Sequence, residues 1–214
     1  MIEYKTVSLA SQIYETLELN ILNGTYAQGE VLTESRLSEE LGVSRTPIRE
    51  AMARLAHEKL IADSPNGIIV IGVTNKDVED IFEVKRRIEV LATKWAAENI
   101  DDEALKELKD ILDQQEFYSQ KGDAEKVRNL DTQFHDLIYR ESGSSVIEGI
   151  LSPMHKKMLK YRKVSLEKSH RISDSVKEHE AIYNALVSRD VEQVEKLMLV
   201  HIENSGRSMM EGRA

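Results

Sequence analysis

The stretch LTESRLSEELGVSRTPIREAMARLAHEKLIADSPNGIIVIGV, Leu32 to Val73, decides how the first third of this chain folds. It reads as two short helices joined by a tight turn, followed by a two-stranded wing. Thr33 and Ser44 stand where N-cap residues belong. Gly42 sits where a left-handed residue would end the first helix. Pro47 falls in the first turn of the second helix, where a missing N–H costs little. Ile61 and the run Ile68 to Val73 have strand composition, and Asn66-Gly67 between them is a strong hairpin signal. Together these marks predict a winged helix-turn-helix, which lays one helix in the major groove of DNA.

The second helix carries the chemistry. Ile48, Ala51, Met52 and Leu55 form an apolar stripe at helical spacing and should pack inward. Arg45 and Arg49 lie one turn apart on a flank of that stripe, with Thr46 beside them. Two arginines at an exposed helix start suit phosphate, and Arg is the usual reader of guanine edges. The alternative is a pair of surface arginines neutralised by Glu50 or Glu39. Arg54 points away from the pair and is assigned no base contact.

Composition narrows the rest. The chain has 214 residues, no cysteine and a formal net charge of −9. It contains no apolar run long enough to cross a bilayer and begins with nothing like a signal peptide, so a cytoplasmic protein without membrane partners is expected. The absence of cysteine excludes disulfides and thiolate metal sites. Residues 1–73 hold six Lys/Arg against ten Asp/Glu, and residues 74–214 hold 23 against 28. With no uniformly basic domain, DNA affinity must depend on a local patch, on dimerisation and on specific contacts.

After Val73 the strand signals stop, and residues 74–214 read as a second, helical domain of about six antiparallel helices. Thr74 and Asp77 open the first in the manner of a capping box. Ile81, Val84, Ile88, Leu91 and Trp95 mark its expected buried face. Further helices are predicted over Asp102–Gln120, Ala124–Glu141, Ser145–Glu167, Ile172–Ser188 and Val191–Met209. The fold class is therefore mainly α, a winged helix-turn-helix followed by a helical bundle.

Within the bundle, Asp131 and His135 are spaced i, i+4 on one helix face. His179 and His201 occupy the two final helices, each among apolar positions. A carboxylate and three imidazoles from three helices suit one divalent transition metal, with positions left for water or ligand oxygens. Alternatively, each histidine bonds locally and no metal is shared.

The segment LGVSRTPIREAM, Leu41 to Met52, resembles the recognition-helix signature of GntR-type transcriptional regulators. The D-x-x-x-H pair, the later E-H-x-x-I and the final helical His resemble the ligand-sensing FCD domain of the FadR subfamily, in its shorter, VanR-like branch. The first resemblance implies operator contacts by Arg45, Thr46, Arg49 and the wing glycine Gly67. Ser44, Asn66 and Arg36 complete the expected DNA-binding set, Arg36 standing beside Ser35, where relatives often carry a basic residue. The second implies a metal such as zinc or nickel on Asp131, His135, His179 and His201, helping to hold a carboxylate effector. The effector-clasping arginine of many relatives is Lys85 here, a point charge without the bidentate fork. A common asparagine is replaced by Ser144. His57, His155 and His170 match no ligand position and are read as surface or structural residues.

The resemblance further implies a homodimer on an inverted-repeat double-stranded operator, released by a small organic acid. Two other readings are a regulator whose metal is purely structural and a metallohydrolase. The latter needs a general base that the sequence does not offer; Glu178 adjoins His179 but is expected to project away.

Overall fold

The computed structural model describes residues 7–166 and 170–211. It divides into two compact units between Asn75 and Lys76. The first unit opens with a helix that the sequence reading omitted, α1 (Leu9–Leu22). Ser8 caps it by accepting from the Ser11 N–H, and Ile13, Leu17 and Ile21 form its buried i, i+4 stripe. It packs on α3.

The helix-turn-helix consists of α2 (Glu34–Leu41) and α3 (Arg45–His57). Thr33 Oγ1 accepts from the Arg36 N–H at 3.2 Å, and Gly42 ends α2 with φ +66°. Ser44 has the extended backbone of a cap, but its side chain makes no capping bond. Ile48, Ala51, Met52 and Leu55 are buried as their spacing requires.

The wing is three-stranded, with order β1 (Val31–Leu32), β3 (Gly67–Val70), β2 (Ile61–Ser64). The predicted hairpin of β2 and β3 is joined by the edge strand β1. Ser64 pairs with Gly67, so the turn is centred on Pro65-Asn66, one residue earlier than Asn66-Gly67. Gly67 begins β3 with φ +135°, and a Cβ there would lie 2.9 Å from the Leu32 carbonyl oxygen. Close approach of β1, together with a backbone conformation that side chains resist, explains the glycine. Gly67→Ala should destabilise the winged unit by about 1–3 kcal/mol. Chemical denaturation followed by a probe in that unit measures this; an unchanged midpoint would refute the strain.

The second unit contains α4 (Asn75–Asn99), α5 (Asp102–Gln120), α6 (Ala124–Glu141), α7 (Ser145–Lys157), α8 (Leu159–Leu166), α9 (Arg171–Val187) and α10 (Val191–Met210). Helix α5 packs on α6 and α9, and α10 lies against α9. Phe134, Leu108, Ile138, Ile182 and Met198 are among its buried side chains.

Two expectations are corrected in this unit. The helix predicted over Ser145–Glu167 is broken at Met158, giving α7 and α8; Glu167 itself lies outside the described residues. The buried face of α4 is also rotated from the expected one. Phe82, Lys85, Glu89, Ala92, Thr93 and Ala96 are buried, whereas Val84, Ile88, Leu91 and Trp95 are half-buried. Hydropathy selects the bulky stripe, but the inward face carries Lys85 and Glu89, which pair with each other and with groups on α6 and α7.

Candidate functional site

The start of α3 presents Ser44, Arg45, Thr46 and Arg49 to solvent, and Asn66 is exposed at the wing turn. Because Ser44 leaves the first N–H groups of α3 uncapped by its side chain, that helix end combines unpaired donors with arginine charge. Arg49 is paired with neither Glu39 nor Glu50. It donates from Nε and Nη2 to the two oxygens of Glu34, at 2.9 and 2.8 Å. Its side chain is 69% exposed, so the pair holds the guanidinium without costing much to break. Arg36 is held by Glu30 at 2.8 Å, and the Arg54 guanidinium lies 3.8 Å over the Tyr14 ring.

In the helical unit, α6, α9 and α10 bring Asp131, His135, His179 and His201 together, all buried. Candidate ligand nitrogens of the three histidines lie within 4.8 Å of one another. Asp131 Oδ1 stands 3.6 Å from His179 Nε2 and 3.9 Å from His135 Nε2. His179 Nε2 is buried without a hydrogen-bond partner. A lone pair facing a carboxylate oxygen with no proton between them is the arrangement a cation resolves.

Each of these residues has a partner on its other side. His179 Nδ1 donates to Gln115 Oε1 at 2.8 Å, and His201 Nδ1 to Glu178 Oε2 at 2.7 Å. His135 Nδ1 stands 2.7 Å from Glu89 Oε1, at an angle short of hydrogen-bond geometry. Asp131 Oδ2 accepts from Arg162. Partners on Nδ1 fix the tautomer and turn Nε2 toward the common point, as in histidine metal sites generally. Glu178 thus does not project away: it also accepts from Arg171 at 2.9 and 3.0 Å and from Asn204 at 2.9 Å.

At Asp131, His179 and His201 the surroundings favour the deprotonated forms that metal binding needs. Burial pushes the Asp131 carboxyl up, but Arg162 and the surrounding imidazoles hold it well below its ordinary range. Burial, aided by neighbouring cationic groups, lowers the pKa of His179 and His201. Burial of Glu178 is likewise outweighed, chiefly by the hydrogen bonds from His201 and Arg171, and its carboxyl falls to about 2. The residues fit a divalent cation.

Several residues of the cluster escaped the sequence reading. His155 is buried in the cluster, with Nδ1 3.2 Å from Lys85 Nζ and Nε2 2.6 Å from Arg162 Nη1. Arg162 also donates to Thr132 Oγ1 at 2.9 Å. Their i, i+7 spacing within one predicted helix was the available signal. Glu89 Oε2 forms an ion pair with Lys85 Nζ at 3.0 Å, and Oε1 accepts from the Tyr139 hydroxyl at 2.6 Å. Gln115 interrupts the apolar stripe Leu108, Ile111, Leu112, and a polar side chain in such a stripe signals a buried bond. Lys85 is buried rather than exposed, and Ser144 caps α7 by accepting from the Ile147 N–H. His57 and His170 are exposed.

Comparison with known proteins agrees with both units. Residues 80–204 match the FCD domain, and residues 9–68 match the bacterial regulatory proteins of the gntR family. The chain is 31% identical over 196 residues to the uncharacterized HTH-type transcriptional regulator YdhC of Bacillus subtilis, covering 90% of this chain and 87% of that protein. It is 30% identical over 179 residues to the gluconate operon transcriptional repressor of Bacillus licheniformis, covering 81% and 74%. The solved structure of E. coli McbR/YncC superposes with a TM-score of 0.83 at 23% identity, over 96% of this chain and 99% of that one. An exposed arginine-bearing helix on a winged unit, followed by a histidine-lined helical unit with these matches, places the chain in the GntR family of bacterial transcriptional regulators, in the group that carries an FCD domain.

Proposed function

We propose that this regulator is a ligand-controlled repressor that binds an inverted-repeat operator as a homodimer. Arg45, Thr46 and Arg49 enter the major groove, with Ser44 and Arg36 near the backbone and Asn66 and Gly67 contacting DNA from the wing. The half-buried stripe Val84, Ile88, Leu91 and Trp95 on α4 supports dimerisation, since a partner helix would complete its burial. Among the described residues no helix is long and apolar enough to cross a membrane.

Asp131, His135, His179 and His201 hold a divalent transition metal, zinc or nickel, and a small organic acid binds beside them near Lys85. The observation that carries this reading is the unpartnered, buried His179 Nε2 facing Asp131 Oδ1 at 3.6 Å. Bound there, the metal supplies a Lewis-acid anchor for a carboxylate oxygen. Gln115, Glu178 and Glu89 orient the imidazoles, while Arg162 holds Asp131. Similarity to an operon repressor supports the reading as a repressor, and release of DNA on acid binding is the outcome proposed.

The test is fluorescence anisotropy of an operator duplex with zinc-loaded protein, titrated with organic acids. A ten-fold loss of affinity corresponds to about 1.4 kcal/mol of coupling, and linkage requires DNA to weaken acid binding equally. A second reading, a purely structural metal, is favoured by the pairing of Lys85 with Glu89 and of Arg162 with Asp131 inside the cluster. It predicts that chelation lowers stability while no acid alters DNA affinity.

A further inference from the structure

Arg49 of α3 and Glu34 of α2 tie the two helices of the helix-turn-helix together through a side-on bidentate pair, Nε to Oε1 at 2.9 Å and Nη2 to Oε2 at 2.8 Å. That geometry commits one edge of the guanidinium and leaves another. Nε–H and one N–H of Nη2 are spent on the carboxylate, whereas both N–H bonds of Nη1 and the second of Nη2 remain. The remaining donors form an end-on fork, which matches two acceptors lying side by side, as O6 and N7 of guanine do. Glu34 is the more enclosed partner, with a side chain 32% exposed against 69% for Arg49. It stands in the first turn of α2, directly after the cap Thr33, where the helix dipole favours a carboxylate. Hydrogen bonding from Arg49 holds its carboxyl below the ordinary range, and the charge of Arg45 adds to the pull.

The pair also changes what Arg49 can attract. A lone exposed arginine binds any phosphate, and every position along a duplex offers phosphates. Paired with Glu34 it carries no net charge, and the carboxylate repels a phosphodiester. Directional donors then count for more than charge. The pair adds little stability in water, but it strengthens in a groove from which bulk water is excluded. The winged segment is already poor in cations, with six Lys/Arg against ten Asp/Glu in residues 1–73, so little of its affinity can come from bulk attraction.

We propose that Glu34 is a positioning residue for sequence discrimination: it aims Arg49 end-on at a base edge and cancels the charge that would otherwise bind phosphate. This rests on the reading of α3 as the helix that enters the groove.

The test compares two duplexes by fluorescence anisotropy across a salt series. One is enriched by the full-length protein from a random-sequence library, and the other is a scrambled duplex of the same composition. Glu34→Gln keeps the size of the side chain but offers one acceptor oxygen and no charge. The expected result is a loss of discrimination of about ten-fold, from weaker binding to the enriched duplex and tighter binding to the scrambled one. The salt slope on the scrambled duplex should steepen by about one per freed arginine. Arg49→Ala should lose discrimination too, and adding Glu34→Gln to it should change discrimination no further, because Glu34 acts through Arg49. Unchanged discrimination in Glu34→Gln, equal weakening on both duplexes included, would overturn the inference and leave the assignment of Arg49 standing. So would a further loss in the double variant. Unchanged discrimination in Arg49→Ala would overturn both.

Discussion

Purified without chelator or histidine tag, the protein is expected to carry about one transition metal per chain, and His179→Ala to carry none. His179 is 1% exposed, its ring stacks on Phe134 at 4.3 Å, and Nδ1 is held by Gln115. The ring is therefore fixed before any cation arrives, which is what would make its Nε2 an effective ligand in the proposed site. Gln115→Leu keeps all four ligands and removes only this orientation, so it separates a binding defect from a folding defect. Loss of such a partner weakens metal affinity by roughly 10–100-fold, or about 1.4–2.8 kcal/mol. At a thousand-fold excess over Kd the metal stabilises the native state by about 4 kcal/mol, worth roughly 10 °C in melting temperature. Elemental analysis and melting with and without zinc measure both effects. Native protein that takes up no zinc or nickel after reloading would sink the site, and so would undiminished metal in His179→Ala.

Arg45→Ala should produce the other large loss, in operator affinity. Arg45 is exposed at the first position of α3. A bidentate guanine contact contributes about 1–3 kcal/mol, and a homodimer makes it twice, so about 2–6 kcal/mol is at stake. A hundred-fold weakening, about 2.8 kcal/mol, falls inside that range. Arg54→Ala is the control, because its guanidinium is committed to the Tyr14 ring. Anisotropy with operator and scrambled duplexes across a salt series distinguishes the roles. A base contact shows as lost discrimination between the duplexes, a phosphate contact as equal weakening on both with a shallower salt slope. Unchanged affinity for both duplexes would remove Arg45 from the interface.

The two units were legible to different degrees. The helix-turn-helix is built from short-range signals: a cap at Thr33, a left-handed Gly42, a proline in the first turn of α3 and a stripe at helical spacing. Each acts within a few residues, so each can be read from the chain. The hairpin was also legible, but not β1, whose two residues carry no pattern of their own and are recruited by pairing with Ile68 and Ile69. The ends of α5 and α6 coincide with the expected ones because Asp101 and Asp123 cap them and short turns follow.

What the chain determined by itself is therefore the helix-turn-helix with its hairpin, most of the later helices, the family signature on α3, and the candidate ligand types Asp131, His135, His179 and His201. Tertiary structure alone decided which groups surround them. Glu89, Gln115, Arg162 and His155 come from α4, α5, α8 and α7, each distant in sequence from the residue it supports. Hydropathy places charged side chains outside, because an isolated charge loses too much hydration when buried. Lys85 and Glu89 overturn that expectation by entering as a pair at 3.0 Å, with His155 and Tyr139 completing their contacts. Such burial is stable only when the compensating partners arrive together, and that condition exists in three dimensions rather than in any window of sequence.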